Sequence, residues 1–316
     1  MIIKGILVTM LAPMSDHIAN AGEKLLGNAS SIKRRPDGRV YISGQMQRHA
    51  LFSALDRLNA DDEGRGETYV SNGDGVTNVV ETDLRADLGG FLQTSKETYS
   101  GRRTAPISAT PAVALEASSI GRDLLIRLKM EAEGDSRGQA VATREFSQDD
   151  MMLMSFFVDV SAVGIRKRFS YEKELHVRTE YVRHISEEER KRRIRLALEA
   201  TATLTDYANQ ARNATSGEPQ QVLLVFDTRL SRKASRYFKA SAVEQRNILA
   251  ELSARDAVYF LGDDTAEGGD STAVAYQKAQ DFLTSNTLYD PAPGAAIRST
   301  ADFEKGMGTK PEKAAK

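Results

Sequence analysis

The sequence predicts an α+β protein built on a ferredoxin-like sheet, the arrangement that RNA-recognition modules (RRM) also use. Two observations carry this prediction. Apolar, β-branched segments typical of buried strands occur at IIKGILVTML, MMLMSFFVDVSAV and QVLLVF. Capped helical patterns and further predicted strands lie between them, so that the elements, apart from decorations, follow the order strand–helix–strand–strand–helix–strand.

The first half of the chain begins with a buried strand that Pro13 is expected to end. A long polar loop, Met14–Arg39, and a short extended piece, Val40–Ile42, are expected next. Ser43 is a predicted N-cap, and the helix that follows carries apolar residues at helical spacing: Met46, Ala50, Leu51, Ala54, Leu55 and Leu58. Residues 60–101 are acidic and rich in Gly and Asn, which indicates an insertion outside the core.

The rest of the chain is expected to contain four strands, one hairpin and three helices. The predicted segments are strands at Ala105–Leu115, Asp123–Met130, Met151–Val163 and Gln221–Phe226, a hairpin at Glu131–Asp150, and helices from Ser186 to about Tyr207, at Ala242–Leu252 and at Ala273–Leu283. From Pro291 the sequence is rich in Ala, Gly, Lys and Pro, and the tail, residues 286–316, is expected to be disordered.

Composition excludes several classes of protein. A chain of 316 residues can bury a large core without staples, and it has no cysteine, which removes thiolate catalysis, disulfides and Cys-based zinc sites. The four histidines never occur at a metal-ligand spacing, so no metal or cofactor is expected. No segment reaches the ~20 apolar residues of a membrane span. A cytoplasmic location, without membrane contact, is therefore expected.

The main candidate site is a basic loop that runs into a helix N-terminus. It contains Lys33, Arg34, Arg35, Ser43, Gln45, Arg48 and His49. Free N–H groups and the dipole at a helix start favour phosphate, and Gln45 and Arg48 lie one turn apart. A solvated basic loop beside an ordinary capped helix remains the alternative.

Further arginine groups could also contact a nucleic-acid backbone. Arg102 and Arg103 suit bidentate phosphate contacts, with intramolecular salt bridges to Asp83 or Asp87 as the alternative. Arg166, Lys167 and Arg168 lie at the end of a predicted strand. Arg190–Arg195 is interpreted as a solvated helix face pairing with Glu187–Glu189, and the basic stretch Arg229, Arg232, Lys233 and Arg236 has no assigned partner.

Catalytic interpretations have little support. Asp16-His17 is the one acid–histidine neighbour pair near the basic cluster and could act on RNA, but ordinary loop polarity explains it as well. The glycines of ANAGEKLLGNAS do not fit a Walker site, and neither GxSxG nor HExxH is present. No catalytic residues and no enzymatic activity are expected.

Five segments in order resemble the Cas-seven backbone family of type I CRISPR surveillance complexes (Cascade), in its DevR-like branch. They are the opening strand, IKRRPDGRVYISGQMQRHALFSAL, DLRADLGGFL with RRTAPISATPAVAL, SFFVDVSAVG, and DYANQARNATSGEPQQVLLVF. The resemblance implies a hand-like protein whose palm has the ferredoxin-like fold. It places the palm at residues 1–59, 104–130 and 151–285, fingers at 60–103, a thumb at 131–150, and a tail at 286–316.

The resemblance also implies partners. Such proteins grip a guide RNA (crRNA), stack with further copies of themselves into a helical filament, and join other Cascade subunits to recognise target DNA by base pairing. Ser43, Gln45 and Arg48 inherit the guide-backbone grip, and Lys33–Arg35 the basic loop contacts. Two other functions stay open: a type III-like subunit that cleaves target RNA with Asp16, and a transcriptional autoregulator.

Overall fold

A computed structural model describes residues 1–20, 22–25, 29–73, 77–94, 100–128, 139–172 and 175–305. It has the predicted mixed α+β character. The strands are β1 (Ile2–Ile3), β2 (Gly5–His17), β3 (Glu23–Lys24), β4 (Ala29–Ser31), β5 (Tyr41–Ile42), β6 (Phe91–Thr94), β7 (Ser100–Arg103), β8 (Ile107–Ala109), β9 (Ala112–Ala114), β10 (Ile120–Leu128), β11 (Gln139–Asp159), β12 (Ile165–Glu172), β13 (Leu175–Arg183), β14 (Gln221–Asp227), β15 (Val258–Asp263) and β16 (Thr287–Leu288).

Six α-helices accompany these strands in the described ranges. They are α1 (Gly44–Asp61), α2 (Leu84–Gly89), α3 (Glu187–Ala202), α4 (Ala242–Ala254), α5 (Thr272–Ser285) and α6 (Thr300–Lys305), with short 3-10 helices at Glu63–Arg65, Val160–Ala162 and Lys233–Lys239. None of the helices in these ranges is long and apolar enough to cross a membrane.

The central sheet has the order β15–β14–β2–β11, and the short strands β8 and β9 pair with the other edge of β11. All of these pairings are antiparallel. Helix α1 connects β2 to the β8–β9 edge, and α3 connects β11 to β14. The sheet therefore contains two strand–helix–strand units, β2–α1–β8/β9 and β11–α3–β14, whose strands alternate across it.

The sheet separates two apolar layers. Successive side chains of a strand point to opposite faces, so Ile6, Val8 and Met10 join the core under α1, α3 and α5. Leu7 packs on the other face, in a cluster that α4 and the 3-10 helix Lys233–Lys239 cover. The N-terminus of α1 and that 3-10 helix thus belong to different layers.

Strand β2 extends past the predicted end at Pro13. It pairs with β11 as far as His17, whereas β14 reaches only Leu11 on its other side. Proline lacks an N–H and is tolerated where a strand has one free edge. Met14–His17 is therefore strand, and the predicted long loop is shorter and contains β3 and β4.

Strand β11 is longer than predicted because it includes residues 139–150. Residues 139–147 pair with β10, from Leu128↔Gln139 to Ile120↔Ser147. The hairpin is therefore formed with the strand predicted at Asp123–Met130, whereas the sequence placed the whole hairpin within Glu131–Asp150. Residues 131–138 of the predicted hairpin lie outside the described residues. A second hairpin, β12–β13, was not predicted, because the charged sequence between Ile165 and Arg183 has little apolar alternation.

The segment interpreted as an insertion contributes to the core. Asp83 caps α2 by accepting from the backbone N–H of Arg85 at 2.9 Å. Leu84 and Leu88 of this helix are fully buried beside Phe52 of α1. Short polar turns on either side obscured this helix in the sequence.

Residues 286–305 differ from the predicted disorder. The β16 strand pairs with β1, and Phe303 of α6 is buried against the ring of His184 at 5.7 Å between centroids. Thr300 donates its hydroxyl to Glu81 at 2.6 Å. A few apolar and polar anchors hold this segment although its composition is that of a linker. Residues 306–316 lie outside the described part of the chain.

His184 makes the stability depend on pH. Its Nδ1 donates to the Arg298 carbonyl at 2.7 Å, and burial, followed by the nearby Arg166, lowers the pKa of His184 to about 4. The unfolded residue has a pKa near 6.5, so the unfolded state binds more protons between pH 6.5 and 4. The free energy of unfolding should therefore fall by about 2 kcal/mol from pH 7 to pH 5 through this residue.

Urea unfolding at both pH values would test this expectation, with His184→Gln as the comparison. The variant should lose that part of the pH dependence and keep the part that carboxylates contribute. An identical pH dependence in the two proteins would contradict it.

Candidate nucleic-acid interface

The N-terminus of α1 is built as the sequence predicted. Ser43 has extended backbone angles, and its hydroxyl accepts from the N–H of Met46 at 3.2 Å. The first turn of α1 contains no acidic residue. The remaining N–H groups of this turn and the positive end of the helix dipole therefore favour an anion.

Gln45 and His49 are both exposed and lie four positions apart. Side chains at this spacing share one face of a helix. The amide of Gln45 and the ring of His49 can therefore contact the same ligand beside Ser43. Of the predicted helix residues, these two are the ones presented to solvent.

Arg48 lies on a different side of α1 and is half-buried. Its guanidinium donates to the carbonyl oxygens of Gly89 at 2.6 Å and Ile107 at 3.3 Å, and it lies over the ring of Phe52. Desolvation lowers the pKa of Arg48. The group therefore joins α1 to α2 and β8, and contact with RNA would need it to exchange a carbonyl for a phosphate.

The basic loop leads directly into this helix. Asn20 donates to the carbonyls of Lys33 and Tyr41, both at 3.1 Å, which holds the two ends of the loop together. Arg34 contacts Glu145 at 3.5 Å. The side chains of Lys33 and Arg35 form no ion pair with any described residue. These two cations are therefore available for a phosphate.

Arg103 is engaged within the protein. Its guanidinium pairs with Asp87 at 2.5 Å and donates to the carbonyls of Ile165 and Ala162. This is one of the two salt bridges that the sequence left open as alternatives to RNA contact. The backbone of Arg102 lies in β7, but its side chain lies outside what the structure describes.

Arg166, Lys167 and Arg168 have three different environments. Arg166 is buried between the rings of Phe91 and Phe303, at 4.6 and 4.8 Å from their centroids, and burial lowers its pKa to about 10. Arg168 pairs across the hairpin with Glu180 through Nε at 2.9 Å. Lys167 alone of the three is exposed.

The arginines of α3 do not form the solvated face that the sequence indicated. Arg190 and Arg193 are both 0% exposed. Arg190 donates to the carbonyls of Val163, Val160 and Tyr289. Arg193 pairs with Asp87 at 2.8 Å and with Glu189 at 2.6 Å. The predicted pairing with Glu189 is present for Arg192 and Arg193, but the predicted solvation is wrong for the two buried residues, and the side chain of Arg192 is only 11% exposed.

Asp16 and His17 point in opposite directions, because they are neighbours on a strand. Asp16 is exposed, with a φ of 45°, whereas His17 is buried and pairs with Asp150 at 2.7 Å. Burial raises the pKa of Asp150, but hydrogen bonds from His17 and Ser118 outweigh it and hold that pKa below its usual value. The two neighbours therefore do not form an acid–base pair.

The described residues offer no site for a metal ion. Across the residues that the structure describes, no three His, Asp or Glu side chains are grouped to hold an ion.

Comparison with solved structures defines the class of fold. The chain resembles a chain titled "CRISPR RNA-guided surveillance complex", with a TM-score of 0.52, 12% sequence identity, and coverage of 96% of this chain and 98% of the other. A second structure, titled "CRISPR RNA-guided surveillance complex, pre-nicking", gives the same values. The fold is therefore that of a protein from such complexes.

The family follows from the sequence of residues 23–225. This segment matches the family described as CRISPR-associated negative auto-regulator DevR/Csa2, and the chain belongs to that family. No curated protein matches the chain. The expected membership in the DevR-like branch is thereby confirmed.

Proposed function

We propose that this protein is a non-catalytic backbone subunit of a type I Cascade complex, which binds guide RNA so that the RNA can pair with target DNA. The observation that carries the proposal is the α1 N-terminus, where exposed Gln45 and His49 lie beside the cap of Ser43. The loop that enters it supplies Lys33 and Arg35, which have no ion pair with a described residue. Membership in a CRISPR-associated family and the similarity in fold to chains of RNA-guided complexes support RNA as the ligand of this junction.

The sheet order supports a ferredoxin-like palm. With β8 and β9 counted as one strand, the order β14–β2–β11–β8/β9 and the crossovers through α1 and α3 are those of two interleaved strand–helix–strand units. In this interpretation the segments 60–103 and 131–150 are the fingers and the thumb, and residues 74–76, 95–99 and 131–138 of them lie outside the described part of the chain. The buried Leu84 and Leu88 attach the fingers firmly to α1.

Exposed apolar side chains support assembly with further copies. Leu124, Ile126 and Val141 are 43–63% exposed, and Ile126 and Val141 are directly opposed in the β10–β11 pair. Such a face on a projecting hairpin is typical of a protein–protein contact. Neighbouring copies and other Cascade subunits are the proposed partners.

The guide-RNA grip is testable with Lys33→Gln/Arg35→Gln. Each lost phosphate contact on a single strand should reduce the slope of log K against log salt by about 0.7. The double variant should therefore bind guide RNA more weakly, with a slope smaller by about 1.4. Fluorescence anisotropy over a series of salt concentrations measures both quantities.

Arg212→Gln/Lys278→Gln is the matched control, because it removes two exposed charges elsewhere. It should leave the slope near that of the wild type. Equal slopes in all three proteins would show that the basic loop does not hold the guide. Arg48 is left unchanged, because its loss would also break the contacts with Gly89 and Ile107.

The same preparation discriminates the two other candidate functions. Asp16 is exposed and therefore accessible to RNA. If the protein were an RNA-cleaving subunit, it should cut complementary RNA, and the variant Asp16→Ala should lose this cleavage. An autoregulator, as the family description words it, should bind its own promoter duplex specifically without a guide. We expect neither cleavage nor a promoter preference.

A further inference from the structure

The segment after β14 presents cations that the proposed guide grip does not use. Its exposed basic residues are Arg229, Arg232, Lys233, Arg236 and Lys239. Lys233 pairs with Glu251 and Arg232 lies over the ring of Phe157. We call the other three residues, Arg229, Arg236 and Lys239, the basic ridge. These residues follow one another at intervals of seven and three positions along RLSRKASRYFK, and the 3-10 helix Lys233–Lys239 contains two of them.

The helix type aligns the charges. A 3-10 helix has three residues per turn, so positions three apart lie above one another. Ala234 and Tyr237 point inward and are buried, at 2% and 8% exposure. Lys233, Arg236 and Lys239 therefore form one outward row, with a spacing of about 6 Å along the axis. Arg236 and Lys239 of this row belong to the ridge, since Lys233 pairs with Glu251, and Arg229 precedes the helix.

The helix is fixed to the sheet rather than free in solvent. Ala234 and Tyr237 belong to the apolar cluster with Leu7 and Phe157. Thr9 donates its hydroxyl to the Ser235 carbonyl at 3.2 Å, and Arg232 lies over the Phe157 ring at 4.4 Å. A ligand that binds here would find the backbone that carries Arg236 and Lys239 already ordered, which lowers the entropic cost of binding.

Most acids near the helix are already paired. Glu251 binds Lys233 and Arg255, and Glu244 accepts hydrogen bonds from the Ser241 cap. Both carboxylates lie close enough to Arg236 to be affected by its charge. The three ridge side chains form no ion pair in the described part of the chain. The surface therefore keeps a positive charge.

The chemistry of the ridge indicates its ligand. A row of cations suits phosphates, and a duplex carries one negative charge per ~1.7 Å of its axis. Single-strand surfaces also need exposed aromatic rings for stacking, whereas Tyr237 and Phe157 are buried here. We propose that the basic ridge binds the phosphate backbone of double-stranded nucleic acid, without reading its sequence.

The ridge is separate from the guide grip. Its 3-10 helix packs in the layer on one face of the sheet, whereas α1 packs in the layer on the other. The proposal therefore does not depend on guide binding and can fail without affecting it.

The test is the triple variant Arg229→Gln/Arg236→Gln/Lys239→Gln in the full chain. Binding of a short duplex DNA of arbitrary sequence is measured by fluorescence anisotropy at several salt concentrations. Loss of three phosphate contacts should weaken binding and reduce the salt slope by about 2.7, at ~0.9 per contact. The thermal unfolding midpoint shows that each protein is folded, and Arg229→Lys/Arg236→Lys/Lys239→Arg should retain binding.

Arg57→Gln/Arg212→Gln/Lys278→Gln removes the same charge from other exposed positions and should retain the wild-type slope. Equal slopes in the ridge variant and the wild type would overturn the proposal, as would an equal loss in the control. Duplex RNA in a parallel arm identifies which duplex is preferred. An acidic peptide is tested as a competing ligand. If the wild type binds this peptide and the ridge variant does not, while duplex binding is the same in both, the proposal is overturned in favour of a protein partner.

Measurements of guide-RNA binding distinguish the basic ridge from the guide grip at Lys33 and Arg35. The ridge variant should bind guide RNA as the wild type does, and Lys33→Gln/Arg35→Gln should bind duplex DNA as the wild type does. If both variants lose both ligands equally, the two surfaces are not separate and the proposal fails.

Discussion

Replacing Asp87 with asparagine is expected to reduce the free energy of unfolding by about 3–5 kcal/mol. The carboxylate is fully buried between Arg103 at 2.5 Å and Arg193 at 2.8 Å, and it also accepts from the Gly164 N–H at 2.9 Å. Asparagine keeps the shape but leaves two buried guanidinium groups without this anion. The loss is a large part of the 5–15 kcal/mol that holds a typical domain together.

Asp206→Asn is the matched control, because Asp206 pairs with Arg57 in an exposed position. Such pairs contribute about 0–1 kcal/mol. Chemical denaturation followed by fluorescence and by circular dichroism would measure both variants. A loss below about 1 kcal/mol for Asp87→Asn would mean that water or Glu189 compensates the buried charges.

Local signals in the sequence predicted local structure well. The cap of α1 depends on Ser43 and on the N–H of Met46 three residues later, so the sequence alone contains both partners. The strand β14 is a run of apolar residues that is buried on both faces, and its pattern needs no further information. Elements of this kind were predicted with nearly correct boundaries.

The buried arginines of α3 could not be predicted in this way. The pattern Glu-Glu-Glu-Arg-Lys-Arg-Arg indicates a solvated helix because each charge has a neighbour of opposite sign nearby. The partner that buries Arg193 is Asp87, which lies 106 residues earlier in the chain. Only the tertiary fold brings that carboxylate to α3.

The candidate site was predicted as a segment more accurately than as individual side chains. Arg48 was paired with Gln45 from a spacing of three residues, but its long side chain reaches the carbonyls of Gly89 and Ile107. Gln45 and His49, four residues apart, are the exposed pair. Both spacings are compatible with one helix face, so packing against α2 decides which residue remains accessible.

Gly90→Ala is expected to destabilise the protein by about 3 kcal/mol or more. Gly90 ends α2 with φ 69° and ψ 167°, a region that is essentially restricted to glycine and costs other residues about 1–3 kcal/mol. A Cβ would also lie 2.5 Å from the Arg103 carbonyl oxygen and 2.7 Å from the Ala105 nitrogen. Both are backbone atoms, so no side-chain rotation can relieve the collision.

Gly268→Ala separates the two contributions, because Gly268 has a φ of 79° but no atom within 4 Å of the added Cβ. It should cost about 1–2 kcal/mol, from the backbone conformation alone. Hydrogen exchange adds a second measurement. Since the Gly89 carbonyl holds Arg48 at 2.6 Å, Gly90→Ala should increase amide exchange in the first turns of α1, and Gly268→Ala should not. An increase confined to β6 and β7 would show that Arg48 does not couple α2 to the candidate interface.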